Sequence, residues 1–301
     1  MKAFYQQGKR VKGYHWVDFV HGYLYTRFVY PYIAIGTQNH WLGKVILPMV
    51  KRLDQIFSAN HANRKNGSKD EISFADTYHG KVIPLDAAKQ LVTVQEDIHL
   101  ENLEKVIPYK LARDIILQEP QHLGVLVCPC RAAREKPCLP MDVCLIVGEP
   151  FVGMMSENSE KKFRQINQAE ALQILEEEDA RGHVHHAFFK DAMLGRFYAI
   201  CNCCSCCCGA IQSQLNGSNM LSSSGYLAVV DEAICVGCGS CEGACQFHAL
   251  KTNDGVSQVD YAACMGCGIC VTHCPQGAIS LTREITKGFP LELDRLLQEI
   301  Q

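Results

Sequence analysis

Apolar residues recur at helical spacing near the start of the chain, where Trp16, Phe19, Val20, Tyr23, Leu24 and Phe28 share one helix face. A second face follows at Val45, Ile46, Met49, Val50, Leu53, Ile56 and Phe57, flanked by Lys44, Lys51 and Arg52, with Pro48 limiting where that helix can begin. Further on, the pattern predicts a helix over Tyr109 to Gln118, then strands at Leu123 to Cys128 and Val143 to Val147. Asn167 followed by Glu170 makes a capping-box-like start to a helix through AEALQILEEEDAR, which Gly182 would stop. Three β-like segments, Tyr226 to Val230, Ser257 to Val259 and Ile279 to Thr282, precede a last amphipathic stretch. There Pro290 leads into Leu293, Leu296, Leu297 and Ile300.

Two polar runs punctuate this pattern. NHANRKNGSKD, from Asn60 to Asp70, reads as a linker, and so does QSQLNGSNMLSSSG, ending at Gly225. The expected organisation is therefore a helical N-terminal segment (1–66), a cysteine-rich α+β domain (67–211), a linker (212–225), a compact unit (226–283) and a C-terminal helix (284–301). The overall fold class is α+β.

Composition changes this picture at one residue type. The 301 residues hold 18 cysteines, all between Cys128 and Cys274. Metal ligation produces such clustering. A disulfide framework would need an oxidising compartment, and MKAFYQQGKRVKGYHW has no compact apolar stretch or small-residue cleavage site, so a cytoplasmic setting is expected. The longest apolar run, Phe28 to Gly36, falls short of the ~20 residues a membrane-spanning helix requires.

The net charge of −3 conceals an asymmetry: residues 1–66 carry ten Lys or Arg against Asp18 and Asp54, leaving 19 against 30, or −11, for the remainder. A chain so divided is poorly suited to nucleic acid, whose phosphates the larger part would repel. Residues 1–41 also hold 11 of the 25 aromatics. Basic, aromatic helical faces suit docking on a partner or on the acidic domains, and residues 1–57 also suit peripheral contact with a membrane surface. His15, Asp18 and His21 share helical spacing, a weak metal pattern.

The strongest signal is a 29-residue internal repeat, in which DEAICVGCGSCEGACQFHAL from Asp231 matches DYAACMGCGICVTHCPQGAI from Asp260, cysteine for cysteine. Each copy reads C-x2-C-x2-C-x3-C, with Gly237, Gly239, Gly266 and Gly268 freeing the backbone to wrap a cluster and aim amides at its sulfides. Over residues 226–283 the chain resembles the bacterial-type dicluster ferredoxins. In that family the fourth cysteine of each run ligates the other cluster. The resemblance thus implies two [4Fe-4S] clusters, one on Cys235, Cys238, Cys241 and Cys274, the other on Cys264, Cys267, Cys270 and Cys245. The family usually places proline after the fourth cysteine; Pro275 conforms, but Gln246 stands in the first copy, where its amide could donate to a cluster sulfur and tune its potential.

Ten further thiols lie upstream: Cys128 and Cys130 in CPCR, then Cys138 and Cys144, then Cys201, Cys203, Cys204, Cys206, Cys207 and Cys208 in CNCCSCCC. An extended backbone would divide the last six into 201, 203 and 207 against 204, 206 and 208. A helix would divide them into 201, 204 and 208 against 203, 206 and 207. Either way two groups of three face apart, the upstream four complete them, and one or two additional iron–sulfur clusters are expected; zinc is the main competitor. CPCR, then CNCCSCCC, then a dicluster ferredoxin is similar to a class of uncharacterised iron–sulfur proteins of anaerobes, a resemblance that implies architecture and no reaction.

Arg131 and Arg134 are placed to offset thiolate charge or accept an anion, or simply to solvate the surface. His183, His185 and His186 fall just past a helix C-terminus, where imidazolium suits the dipole, with cluster ligation or proton delivery as the other reading. Neither G-x-G-x-x-G nor a P-loop lysine motif is present, so no nucleotide or flavin is implied, and no catalytic acid–base or nucleophile pattern stands out. The expected function is single-electron transfer between redox protein partners, or within a reductive enzyme whose cysteine-rich domain holds a substrate-binding cluster.

Overall fold

A computed structural model of the chain describes residues 2–11, 14–37, 43, 78–101, 103, 105–108, 114–159 and 161–298. The helix expected over Val45 to Phe57 and the linker Asn60 to Asp70 lie outside the described residues.

Strands β1 (Tyr78–Ile83), β2 (Ile98–Leu100), β3 (Ile115–Val127), β4 (Asp142–Glu149), β5 (Phe163–Ile166), β6 (Val184–Lys190), β7 (Arg196–Cys203) and β8 (Leu221–Ser222) form one sheet. Its order is β2-β3-β4-β7-β6-β1-β8, with β5 also on β3. All pairings are antiparallel except β1 with β8. The sheet is covered on both faces, and β6 is buried along its whole length. One face packs under the helices Leu85–Thr93, Gln168–Ala180 and Leu293–Gln298, through Leu91, Leu175 and Leu293 against Ile83, Val125 and Phe189. The other packs under the N-terminal helices and Phe151–Asn158, through Phe4, Tyr25, Val29 and Phe151 against Val82, Leu126 and Phe188.

The helix Gln168–Ala180 begins as expected, with the Asn167 side chain accepting from the Glu170 amide at 2.8 Å, and Gly182 follows its end at φ +80°. The expected helix over Tyr109 to Gln118 is overturned across its second half, which belongs to β3. There the β-branched pair Ile115 and Ile116 aligns with Leu100 and His99 of β2, so strand pairing overrides the helical spacing. Residues 109–113 lie outside the described set.

Three helices, Lys2–Gly8, Trp16–Arg27 and Val29–Gly36, make up the described N-terminal segment. The second does not bury the expected stripe: Trp16, Val20, Tyr23, Leu24 and Phe28 are exposed among the described residues, and Gly22, Tyr25 and Thr26 face the core. Gly22 is the reason, since a Cβ there would collide with the Ala192 carbonyl. His15, Asp18 and His21 form no cluster: Asp18 caps the helix by accepting from the His15 amide at 2.8 Å, and His21 pairs with Tyr32 Oη at 2.9 Å. No helix among the described residues is long and apolar enough to cross a membrane.

The stretch expected as a linker over 212–225 is ordered. The helix Gly209–Leu215 runs into it, β8 joins the sheet, and Ser224 Oγ donates to the Gly266 carbonyl at 2.7 Å. Beyond it, β9 (Tyr226–Val230) pairs with β12 (Ile279–Arg283), and β10 (Leu250–Asn253) with β11 (Val256–Val259). The C-terminal helix crosses back to the cysteine-rich unit, where Gln90 Nε2 donates to Asp294 at 3.0 Å and Leu293 is buried.

Candidate metal centres

The two copies of the repeat fold with matching hydrogen bonds and turns. The Cys235 amide donates to the Asp231 carbonyl at 2.9 Å and the Cys264 amide to Asp260 at 3.0 Å. The Ala249 amide donates to Cys245 Sγ and the Ala278 amide to Cys274 Sγ, both at 3.2 Å. Gly237, Gly239, Gly266 and Gly268 all have positive φ, and a Cβ at Gly237 or Gly266 would collide with the backbone of Gly255 or Tyr226. The short helices Ser240–Ala244 and Ile269–Thr272 each start from one of these glycines.

Two cavities result. Cys235, Cys238, Cys241 and Cys274 line one; Cys245, Cys264, Cys267 and Cys270 line the other, with Phe247, Ile269 and Leu281. Each therefore gathers three cysteines of one run and the fourth of the other. Four soft thiols converging on a small cavity, with amides directed at sulfur, fit a [4Fe-4S] cube by donor chemistry. The two environments differ. Cys238 is exposed, whereas burial raises Cys267 well above the usual thiol value and Cys270 to about 12.

The ten upstream thiols divide six and four. Thiol contacts run from Cys130 to Cys128, Cys144, Cys201, Cys203 and Cys208 and back to Cys130, a closed ring on the sheet face beneath the N-terminal helices. Hydrogen bonds from Cys144 and Cys203 pull Cys201 down to about 6 against the effect of burial. Those from Cys130 and Cys203, with the Ile211 amide, hold Cys208 well below its ordinary value, while Cys128, which donates to Cys130, is pushed up to about 12. The remaining four, Cys138, Cys204, Cys206 and Cys207, have sulfurs all within 4.8 Å of one another.

Neither expected division of CNCCSCCC is the observed one, which is 201, 203 and 208 against 204, 206 and 207. The run is strand only as far as Cys203. It then turns, with the Cys208 amide donating to the Cys204 carbonyl at 3.0 Å, and Cys208 caps the helix Gly209–Leu215. Strand alternation sets the first two thiols, and the turn sends the last back to join them.

Around the ring, polar groups are buried. Arg131 is not a surface residue: its guanidinium pairs with Glu178 at 2.5 Å and donates to the Asn202 carbonyl at 3.2 Å, with both side chains enclosed. Arg134 braces the turn by donating to the Cys207 carbonyl at 3.0 Å. Of the three histidines, only His183 lies past the helix end, 2.7 Å from Glu178; His185 and His186 are in β6. His185 Nδ1 is 2.7 Å from Asn202 Oδ1. His186 stands directly across from Cys201, hence on the ring's face, with neither ring nitrogen hydrogen-bonded, and burial lowers its pKa to about 3.

Gln246 does not address a cluster sulfur. Its Nε2 donates to the Gly182 carbonyl at 2.9 Å, and its Oε1 accepts from the Ser205 amide at 2.8 Å, inside the CNCCSCCC turn. The ferredoxin unit is thereby tied to the cysteine-rich one. Cys245 and Cys267 also pack against the same apolar cluster as Cys130 and Cys201. The clue in the sequence was the missing proline, but its partner was 41 residues away.

No curated protein matches the chain. A family model described as a 4Fe-4S binding domain matches it twice, at residues 228–251 and 257–280, one match over each copy of the repeat. The C-terminal unit is thus a ferredoxin-type 4Fe-4S binding domain, fused to the cysteine-rich unit that precedes it.

Proposed function

We propose that the chain is an iron–sulfur electron relay, passing single electrons through two [4Fe-4S] clusters in the ferredoxin-type domain and a further cluster in the six-thiol ring. The observation that carries this reading is that Cys245 and Cys267 pack on the same apolar cluster as Cys130 and Cys201, so that one ferredoxin tetrad and the ring border a common core. The other tetrad includes the exposed Cys238, beside the exposed side chains Ile234 and Val236. The order is then an outer site open to a redox protein partner, an inner site, and the ring.

Bound clusters would supply reversible one-electron steps; the residues of the chain hold and insulate them. The glycine turns bring amides to sulfur, Phe247, Ile269 and Leu281 keep water from the inner site, and the Gln246 clamp fixes the distance between units. Burial of Cys128, Cys144, Cys203 and Cys208 favours a relay over a substrate-binding cluster, which needs an open iron.

Anaerobic purification with iron and sulfide counts, followed by redox-titrated EPR, tests the proposal. More than about eight irons, the number two cubes account for, is expected, with a third signal that Cys144→Ser removes. About eight irons, about four of them lost with Cys238→Ser and the other four with Cys267→Ser, would confine the relay to the ferredoxin unit.

A further inference from the structure

The ten upstream thiols differ in spacing as well as in position. In the group of four, Cys138 Sγ lies 2.9 Å from Cys206 and 3.6 Å from Cys204; Cys206 lies 3.3 Å from Cys204 and 3.6 Å from Cys207. Among the described residues this is the one set of three or more Cys, His, Asp or Glu side chains whose ligand atoms all come within 4.8 Å of one another. Four sulfurs bound tetrahedrally at about 2.3 Å from one ion sit about 3.8 Å apart, so small outward movements would seat an ion. A cube makes the opposite demand, because each thiolate is bonded to a different iron at a separate corner. The ferredoxin tetrads of the same chain line cavities, and their sulfurs do not all come within 4.8 Å of one another.

We propose that Cys138, Cys204, Cys206 and Cys207 bind a single thiophilic divalent ion, zinc or iron, as a tetrathiolate, and not an iron–sulfur cluster. The surroundings suit a structural ion of this kind. Three ligands come from one turn whose carbonyls are already held: Gln212 Nε2 donates to Ser205 O at 3.1 Å and to Cys206 O at 3.0 Å, and Arg134 holds Cys207 O. The fourth comes from the loop after the helix Pro129–Ala132, which itself carries Cys130 of the ring. The ion closes a staple across the two segments that supply five ring thiols, Cys128 and Cys130 on one side and Cys201, Cys203 and Cys208 on the other. It also fixes Ser205, where the ferredoxin domain is clamped.

The test is a metal and sulfide count on the full chain, purified anaerobically, for the unsubstituted protein and for Cys138→Ser, Cys206→Ser and Cys144→Ser. Cys138→Ser and Cys206→Ser are each expected to lose one zinc or one iron per chain and no inorganic sulfide, while Cys144→Ser loses iron and sulfide together and keeps the ion. X-ray absorption at the zinc edge, or Mössbauer spectra for iron, tells the two metals apart, and for zinc it should show four sulfurs at about 2.3 Å with no metal neighbour. Loss of several irons with matching sulfide from Cys138→Ser, or no metal change in either variant, overturns the proposal. Should both variants fail to fold, the zinc-edge and Mössbauer spectra of the unsubstituted protein decide alone. A chain in which Cys144→Ser changes nothing but Cys138→Ser releases one ion would refute the ring cluster and leave the ion site standing.

Discussion

Gln246→Ala tests the clamp between the two units. The substitution removes two partly buried hydrogen bonds and strands the Ser205 amide and the Gly182 carbonyl that they satisfied. A net 0.5–1.5 kcal/mol for each bond gives about 1–3 kcal/mol against local opening. At about 1.4 kcal/mol per factor of ten, that is an opening equilibrium raised roughly 5- to 150-fold. Amide hydrogen exchange reads this directly, because the Ser205 N–H is one of the two lost bonds; exchange at Ser205 should accelerate by that factor, while the β9 and β12 amides keep theirs. Gln246→Glu separates the halves of the clamp, since a carboxylate still accepts from Ser205 but cannot donate to Gly182. It should give an intermediate acceleration. Unchanged exchange at Ser205 in Gln246→Ala would refute the clamp. Acceleration spread through the ferredoxin unit would mean that Gln246 supports that unit's own fold.

Arg131→Met removes one of three partners of the buried Glu178 carboxylate, with Arg181 and His183 remaining, and should destabilise by about 1.5–3 kcal/mol, with a double-mutant cycle in denaturant against Glu178→Gln giving the coupling of the pair. Lys81 is buried and its ammonium donates to the Phe289 carbonyl at 2.8 Å; burial lowers its pKa to about 7. The penalty for its charge is full below pH 7 and is relieved as pH rises toward its unfolded value near 10.5, because over that range the unfolded chain binds the extra proton. The thermal midpoint should therefore gain more on going from pH 7 to 10 in the unsubstituted chain than in Lys81→Met, and equal gains would refute the shift. His186→Leu removes two buried, unbonded nitrogens and should stabilise the metal-free chain by roughly 1–3 kcal/mol in thermal or denaturant unfolding. A loss of stability would show that the imidazole has a partner.

What was legible in the sequence follows from how local each determinant is. The eight ferredoxin cysteines stand in a short repeat whose glycines carry their own turn geometry, and the crossing of each fourth cysteine was implied by the resemblance to dicluster ferredoxins. The helix Gln168–Ala180 was legible for the same reason, its cap and its stop lying next to it. The outward stripe of Trp16–Arg27 was not, because the buried side is chosen by Gly22, whose use lies in a backbone approach to Ala192, 170 residues on. CNCCSCCC failed in a third way. Each trial conformation was applied to the whole run, but the run changes conformation at Cys204, because β7 ends where its neighbour β6 begins, at the pair Val184 and Cys203. That register is set by a sheet whose β6 sits between β7 and β1, so the six-and-four division depends on pairings far outside the motif. The division itself is chemically consequential: it sends Cys201, Cys203 and Cys208 to a closed ring of thiol contacts and Cys204, Cys206 and Cys207 to a compact knot with Cys138, two different donor arrangements from a single eight-residue run.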